Sequence, residues 1–266
     1  MAVKVGNFTN EERQIVQSLH NFAVLEHQRD QSVAPSNAME EYFMAKMGVK
    51  RRQLVVDLDG RNMLVTQAGA MQWTFGDVSS TTGVKGAGDL LGKMVKSAVT
   101  KESAIKPEYK GVGRIVLEPT YKFIILQDVS EWGASGMSIE DGMFLACDGR
   151  VEHKIASRTN LSSAIAGNEG LFNLSLRGSG VVALESNVPP AELITVDLDN
   201  DVLKLDGSFA VCWSTSLQFT VERSSKTLIG SAVNKEGLVN VFRGTGRVLI
   251  SPTTPSTSSL FSTTHD

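Results

Sequence analysis

Apolar positions along the chain change their period once. Ile15, Leu19 and Phe22, with Val16 and Ala23, recur at helical spacing as far as about Asp30, behind Thr9 and Glu12, a pair spaced like a capping box. The spacing predicts one amphipathic helix. Pro35-Ser36-Asn37 breaks it, and Ala38 to Met47 predicts a second, shorter helical stretch that stops at Gly48. Met39, Tyr42, Phe43 and Met47 lie on one side of that stretch. Flexible methionines usually fill gaps, so this stripe reads as core or subunit contact rather than as a cofactor box.

From about Arg51 onward helical periodicity gives way to short β-branched runs punctuated by Gly and Asp. Leu54 to Leu58 and Leu193 to Leu198 read as strands, with Asp59-Gly60 and Asp199-Asn200 supplying turn residues that tolerate positive φ. The pattern divides the chain into an N-terminal helical extension (1–50), one β domain (51–252) and a Ser/Thr/Pro-rich tail (253–266) expected to be disordered.

Inside the β domain the chain repeats itself three times. Glu169-Gly170-Leu171-Phe172-Asn173-Leu174-Ser175-Leu176-Arg177-Gly178-Ser179-Gly180 returns as Glu236-Gly237-Leu238-Val239-Asn240-Val241-Phe242-Arg243-Gly244-Thr245-Gly246, with a weaker copy around Gly111-Val112-Gly113-Arg114. A second landmark, Gly69, Gly142 and Gly207, agrees, and the units run over about 51–122, 123–191 and 192–252. Alternating strands on both sides of each Gly-x-Gly predict a tight reversal, so Gly111, Gly113, Gly178, Gly180, Gly244 and Gly246 are assigned as hairpin glycines. A phosphate cradle would need a helix N-terminus behind the motif, and a β-branched run follows instead.

Composition narrows the chemistry. The 266 residues carry 26 Lys+Arg against 29 Asp+Glu, a net charge of -3, which leaves no bulk electrostatic footprint for nucleic acid or an anionic membrane. Two cysteines are too few for a disulfide framework, the opening residues lack a signal or transit pattern, and no apolar run approaches a membrane span, so a cytoplasmic protein is expected. Cys147 and Cys212 each lie five residues past a repeat glycine, which assigns them equivalent strand positions as small buried thiols. The four histidines have no metal-ligand spacing, and Asp197, Asp199 and Asp201 fail as a calcium loop because Val202 and Ser208 stand where a Gly and a Glu are required. Neither a dinucleotide fingerprint, a phosphate loop nor a nucleophile elbow is present, so no catalytic, cofactor or metal residue is assigned and the chain is read as non-enzymatic. Lys50-Arg51-Arg52 is read as a solvated strand edge, with a nucleic-acid contact as the alternative.

The segments Gln67-Ala68-Gly69-Ala70-Met71-Gln72-Trp73, Gly142-Met143-Phe144-Leu145-Ala146, Gly167-Asn168-Glu169-Gly170-Leu171-Phe172 and Glu236 to Gly246 together resemble the altered inheritance of mitochondria protein twenty-four family. That family is a domain of unknown function related in fold to the tryptophan RNA-binding attenuation protein (TRAP). The resemblance implies a mainly β, TRAP-like double-stranded β-helix or a β-sandwich or barrel, pseudo-threefold within one chain and assembled as a homo-oligomer, a trimer being favoured, and it implies no catalytic residues. The function expected is an oligomeric scaffold or protein-interaction module, with the apolar residues Leu90, Leu91, Met94 and Val95 as its interaction surface. RNA or DNA binding by fold analogy, and small-ligand binding between strands, are the alternatives.

Overall fold

A computed structural model describes residues 3–81, 106–157, 172–206, 209–223 and 238–253. Among these, fifteen strands form two curled sheets and a single α-helix, α1 (Ala38–Lys46), lies outside them.

The expected N-terminal helix is a β-hairpin. β1 (Arg13–Leu19) turns through His20-Asn21, with His20 at φ 52, into β2 (Phe22–His27), and β2 continues the sheet by pairing with β3 (Arg52–Thr66). Phe22, Val24 and Leu25 are buried against that partner, so long-range strand pairing outweighs a helical spacing that Ile15 and Val16, both β-branched, support only weakly. The apparent capping box is an Asx turn, in which the Asn10 side-chain oxygen accepts from the N–H groups of Glu12 and Arg13. Residues 1–50 are therefore not a helical extension; α1 alone is helical at the expected place, and its methionine stripe is not core, since Met39, Phe43 and Met47 are exposed.

Three groups of strands follow. The first is β3, β4 (Met71–Thr81) and β5 (Glu108–Leu117), with β5 between the other two. The last is β12 (Ile194–Asp206), β13 (Ala210–Ser214), β14 (Gln218–Arg223) and β15 (Leu238–Ile250), with β15 between β12 and the β13–β14 pair. The middle group is broken into six short strands: β6 (Phe123–Asp128), β7 (Met137–Ile139), β8 (Phe144–Asp148), β9 (Val151–Ser157), β10 (Phe172–Gly178) and β11 (Val181–Ser186). β6, β8 and β11 join the first group in one sheet, whereas β7, β9 and β10 join the last group in the other. The middle group thus carries the chain from sheet to sheet.

The registers of the three groups coincide. Asp57 faces Arg114 across β3 and β5, Asp128 faces Val181 across β6 and β11, and Asp197 faces Arg247 across β12 and β15. A pairing irregularity also recurs at one place, between Met71 and Trp73 opposite β5, between Ala183 and Leu184 opposite β8, and between Ala210 and Cys212 opposite β15. This alignment corrects the cysteines by one residue: Cys147 faces Val182, the residue after Val181, but the corresponding partner of Val248 is Trp213, and Cys212 faces Leu249.

The hairpin assignment fails at all six glycines. Gly111 and Gly113 lie within β5, and Gly244 and Gly246 within β15; each strand runs straight through its motif. Asp59-Gly60 and Asp199-Asn200 are likewise not turns; they lie in register shifts inside β3 and β12. Gly178 and Gly180 stand where the chain leaves β10 in one sheet for β11 in the other, a crossover rather than a hairpin. The reason glycine is needed is close approach as well as dihedral freedom: Gly111 has φ +127, and a Cβ there would sit 1.9 Å from the Asp77 carbonyl oxygen of the neighbouring β4.

Three large apolar clusters fill the interior, and a small fourth packs Leu25 of β2 with Val55 and Val116. One lies under the first group and takes Leu54, Leu64 and Ile115 together with Leu126, Ala146 and Ala183 from the middle group. The second joins the sheets, packing Met137, Cys147 and Val182 of the middle group under Val211, Cys212 and Leu249 of the last. The third, with Trp213, Phe242 and Val248 at its centre, contains residues of the last group alone among those described.

Candidate functional site

Residues able to do chemistry are built into structure. Burial raises the Cys147 thiol to about 12 and pushes the Cys212 thiol higher still, so neither is a nucleophile at neutral pH. Lys106 is buried with its Nζ 3.8 Å from the centre of the Phe144 ring. Near it the His153 imidazole is held below its ordinary value, chiefly by burial and then by the Lys106 charge, and its Nδ1 is buried without a hydrogen-bond partner among the described residues. No group of three or more His, Cys, Asp or Glu residues able to hold a metal ion occurs among the described residues.

The Lys50-Arg51-Arg52 cluster is neither a solvated edge nor a free cationic patch. Lys50 donates to Glu26 at 3.1 Å, Arg52 to the same carboxylate at 2.8 Å, and Arg51 to Asp30 at 2.7 Å. Arg52 is buried with its guanidinium 3.9 Å from the centre of the Phe123 ring, and the two cations hold Glu26 below the usual carboxylate range against the opposing effect of burial. Each cation has a carboxylate, so little field remains for a phosphate backbone. Beside this network α1 and β2 border a cleft of about 420 Å³ lined by Asp30, Tyr42, Lys46 and Tyr121 among others. Glu41 fastens α1 to it by accepting from the Tyr121 hydroxyl at 2.9 Å.

The second surface is a sheet edge. The end of β3 pairs with β8, placing Leu64, Val65 and Thr66 opposite Asp148, Cys147 and Ala146. β7 pairs with β13 in the same way, with Met137, Ser138 and Ile139 opposite Ser214, Trp213 and Cys212. Every residue of both joints is buried. β12 has the same place in the last group that β3 and β7 have in theirs, and β4 the same place that β8 and β13 have, yet among the described residues β12 pairs with β15 alone and β4 with β5 alone. Leu203, Leu205, Trp73 and Phe75 on these edges are only half-buried, while Lys204 and Thr74 are exposed. Trp73 stacks on Phe75, ring centres 6.0 Å apart, and meets Phe8 edge-on.

Of the residues expected to interact, Leu90, Leu91, Met94 and Val95 lie outside the described residues, and the six glycines serve strand geometry rather than binding. Sequence reasoning passed over the edge residues. The short alternations Trp73-Thr74-Phe75 and Leu203-Lys204-Leu205 are visible, but they are unremarkable until strand registers align them with buried counterparts.

A profile of the mitochondrial biogenesis AIM24 family matches residues 46–253. An uncharacterized protein of Streptococcus pyogenes serotype M6 is 29% identical over 204 residues, which cover 73% of this chain and 79% of that relative. The crystal structure of another Streptococcus pyogenes protein superposes with a TM-score of 0.56 at 25% identity, covering 77% of this chain and 89% of that one. No helix among the described residues is long and apolar enough to cross a membrane.

Proposed function

From the premise that this chain belongs to the mitochondrial biogenesis AIM24 family, we propose that it is a non-enzymatic, homo-oligomeric scaffold made of three TRAP-like β modules in tandem. The observation that carries this reading is the coincidence of register: Asp57, Asp128 and Asp197 each face the same place of their partner strand, and the same pairing irregularity follows in all three groups. Independent strand groups would have no reason to share both features. The thiols are buried and the basic cluster is neutralised by carboxylates, so these described residues are spent on structure. A module whose side chains are spent on packing has its outer surface and strand edges left for function.

Gel filtration coupled to light scattering at micromolar chain concentration tests it. The expected mass is three times that of the 28.7 kDa chain; a compact monomer overturns the oligomeric reading.

A further inference from the structure

We propose that the cleft between α1 and β2 binds a small monocarboxylate with a hydrocarbon body, an acyl-chain or arylalkyl acid, whose carboxylate meets Lys46. This goes beyond the scaffold reading and does not rest on it, because every residue of the site belongs to one chain. The argument starts from the helix. α1 has nine residues, fewer than an isolated helix needs to be stable in water, and a helix so short normally depends on packing an apolar face. Yet no residue of α1 is buried. Its last turn is closed by the N–H groups of Gly48 and Val49, which donate to the Ala45 and Met44 carbonyls. One side chain ties it down: Glu41 accepts from the Tyr121 hydroxyl at 2.9 Å and from Arg51 at 3.5 Å. Ala38, Glu41, Tyr42 and Ala45 follow the spacing of one helix face, and that face borders the cleft of about 420 Å³, a volume in the range of small-molecule sites.

The lining sets the body of the ligand. Val33 and Val49 add aliphatic surface to that of Ala38 and Ala45, and Tyr121 adds a second ring to that of Tyr42. Tyr42, Val49 and Tyr121 are 55%, 38% and 39% exposed, so a ligand reaches them without displacing protein. Charge sets its head. Asp30 and Glu41 both accept from Arg51, Lys50 donates to Glu26, and Arg29 pairs with Glu12. Of the Lys and Arg side chains that line the cleft, Lys46 is the one with no carboxylate partner among the described residues; its Nζ lies 5.4 Å from the centre of the Tyr42 ring. A cationic ligand would have to part Arg51 from its carboxylates, and a phosphate would find one unpaired cation where a dianion calls for more. A monocarboxylate matches Lys46 charge for charge and lays its body on the aliphatic and ring surface beside it. All of β1 and β2, and α1 as far as Ala45, precede residue 46, where the family match begins, so one wall of this site is built from a segment outside the matched region.

Isothermal titration calorimetry of the full chain with octanoate, 3-phenylpropanoate and octylamine tests the site. An acid is expected to bind once per chain, and octylamine, which has the body of octanoate and the opposite charge, is expected not to bind. Tighter binding of octanoate assigns the site to acyl chains, and tighter binding of 3-phenylpropanoate assigns it to arylalkyl acids. Lys46→Met keeps most of the side chain and removes its charge, and is expected to weaken the acid about tenfold or more, whereas Lys46→Arg is expected to retain it. Ala45→Leu, a substitution by another good helix former, fills the cleft without touching that charge. It is expected to weaken the acid while leaving the far-ultraviolet circular dichroism of the chain unchanged. Absence of binding by both acids, equal binding of octylamine, or an affinity unaltered by Lys46→Met or by Ala45→Leu overturns the proposal. None of these outcomes bears on the oligomeric mass, so the scaffold reading stands or falls separately.

Discussion

Gly111 and Gly244 stand at one register position in β5 and β15, both at positive φ, yet their surroundings differ. A Cβ on Gly111 would meet the Asp77 carbonyl oxygen at 1.9 Å, whereas on Gly244 the nearest atom, the Ser216 carbonyl oxygen, is 3.9 Å away. Beside Gly111 the strand β4 runs on unbroken with Val78 directly opposite, whereas beside Gly244 the neighbouring chain is the break between β13 and β14. Equal sequence motifs in equal backbone conformations therefore do not carry equal weight. What sets the weight is how closely the neighbouring backbone approaches the position.

The largest expected effect tests that contrast directly. Gly111→Ala should cost about 4 kcal/mol or more, because backbone must move as well as twist, while Gly244→Ala should cost about 1–2 kcal/mol from dihedral strain alone. Denaturant midpoints of the two variants check this, and similar losses would erase the distinction. Next in size is a pair of core truncations at one register position. Met137→Ala removes a fully buried side chain and should cost about 2–5 kcal/mol. Leu203→Ala should cost about 1 kcal/mol in dilute solution, where part of its surface is already wet, and more at concentrations that favour assembly. A concentration-independent cost at Leu203 would mean that nothing covers it.

The smallest effect is on pH. His153 faces Leu176 where Phe219 faces Phe242 in the last group, so Phe is already used at this place. Burial lowers the folded pKa of His153, so the unfolded chain takes up a proton first. Its contribution to stability is complete above the unfolded value of about 6.5 and is lost as pH falls from there through the lower folded value. His153→Phe should therefore flatten the decline in melting temperature between pH 7 and pH 5. An unchanged slope would assign that decline to other groups.

Much of the β architecture was legible because it is local. The change of period at Arg51 marks the start of β3 within one residue, and Leu54 to Leu58 and Leu193 to Leu198 are strand as read except for Leu193, which precedes β12. The hairpin at Arg13–His27 mimics a helix because Ile15, Leu19 and Phe22 keep helical spacing although they lie on two strands across a turn, and the arbiter, β3, is distant in sequence. Gly-x-Gly reads as a reversal because glycine marks turns, bulges and close approaches alike. The candidate edge was hidden for a related reason: Trp73 and Leu205 look like ordinary strand residues until their buried counterparts Ala146 and Ile139 are known.

Short β-branched runs suffice to establish a mainly β chain from Arg51 onward and to locate parts of β3 and β12, since each depends on a few consecutive side chains and the dihedral angles they permit. Which strands pair, where the middle group crosses between sheets, and which edge remains without a partner depend on contacts between residues far apart along the chain. Those are settled by the burial that packing makes available, and no short window of residues contains that information.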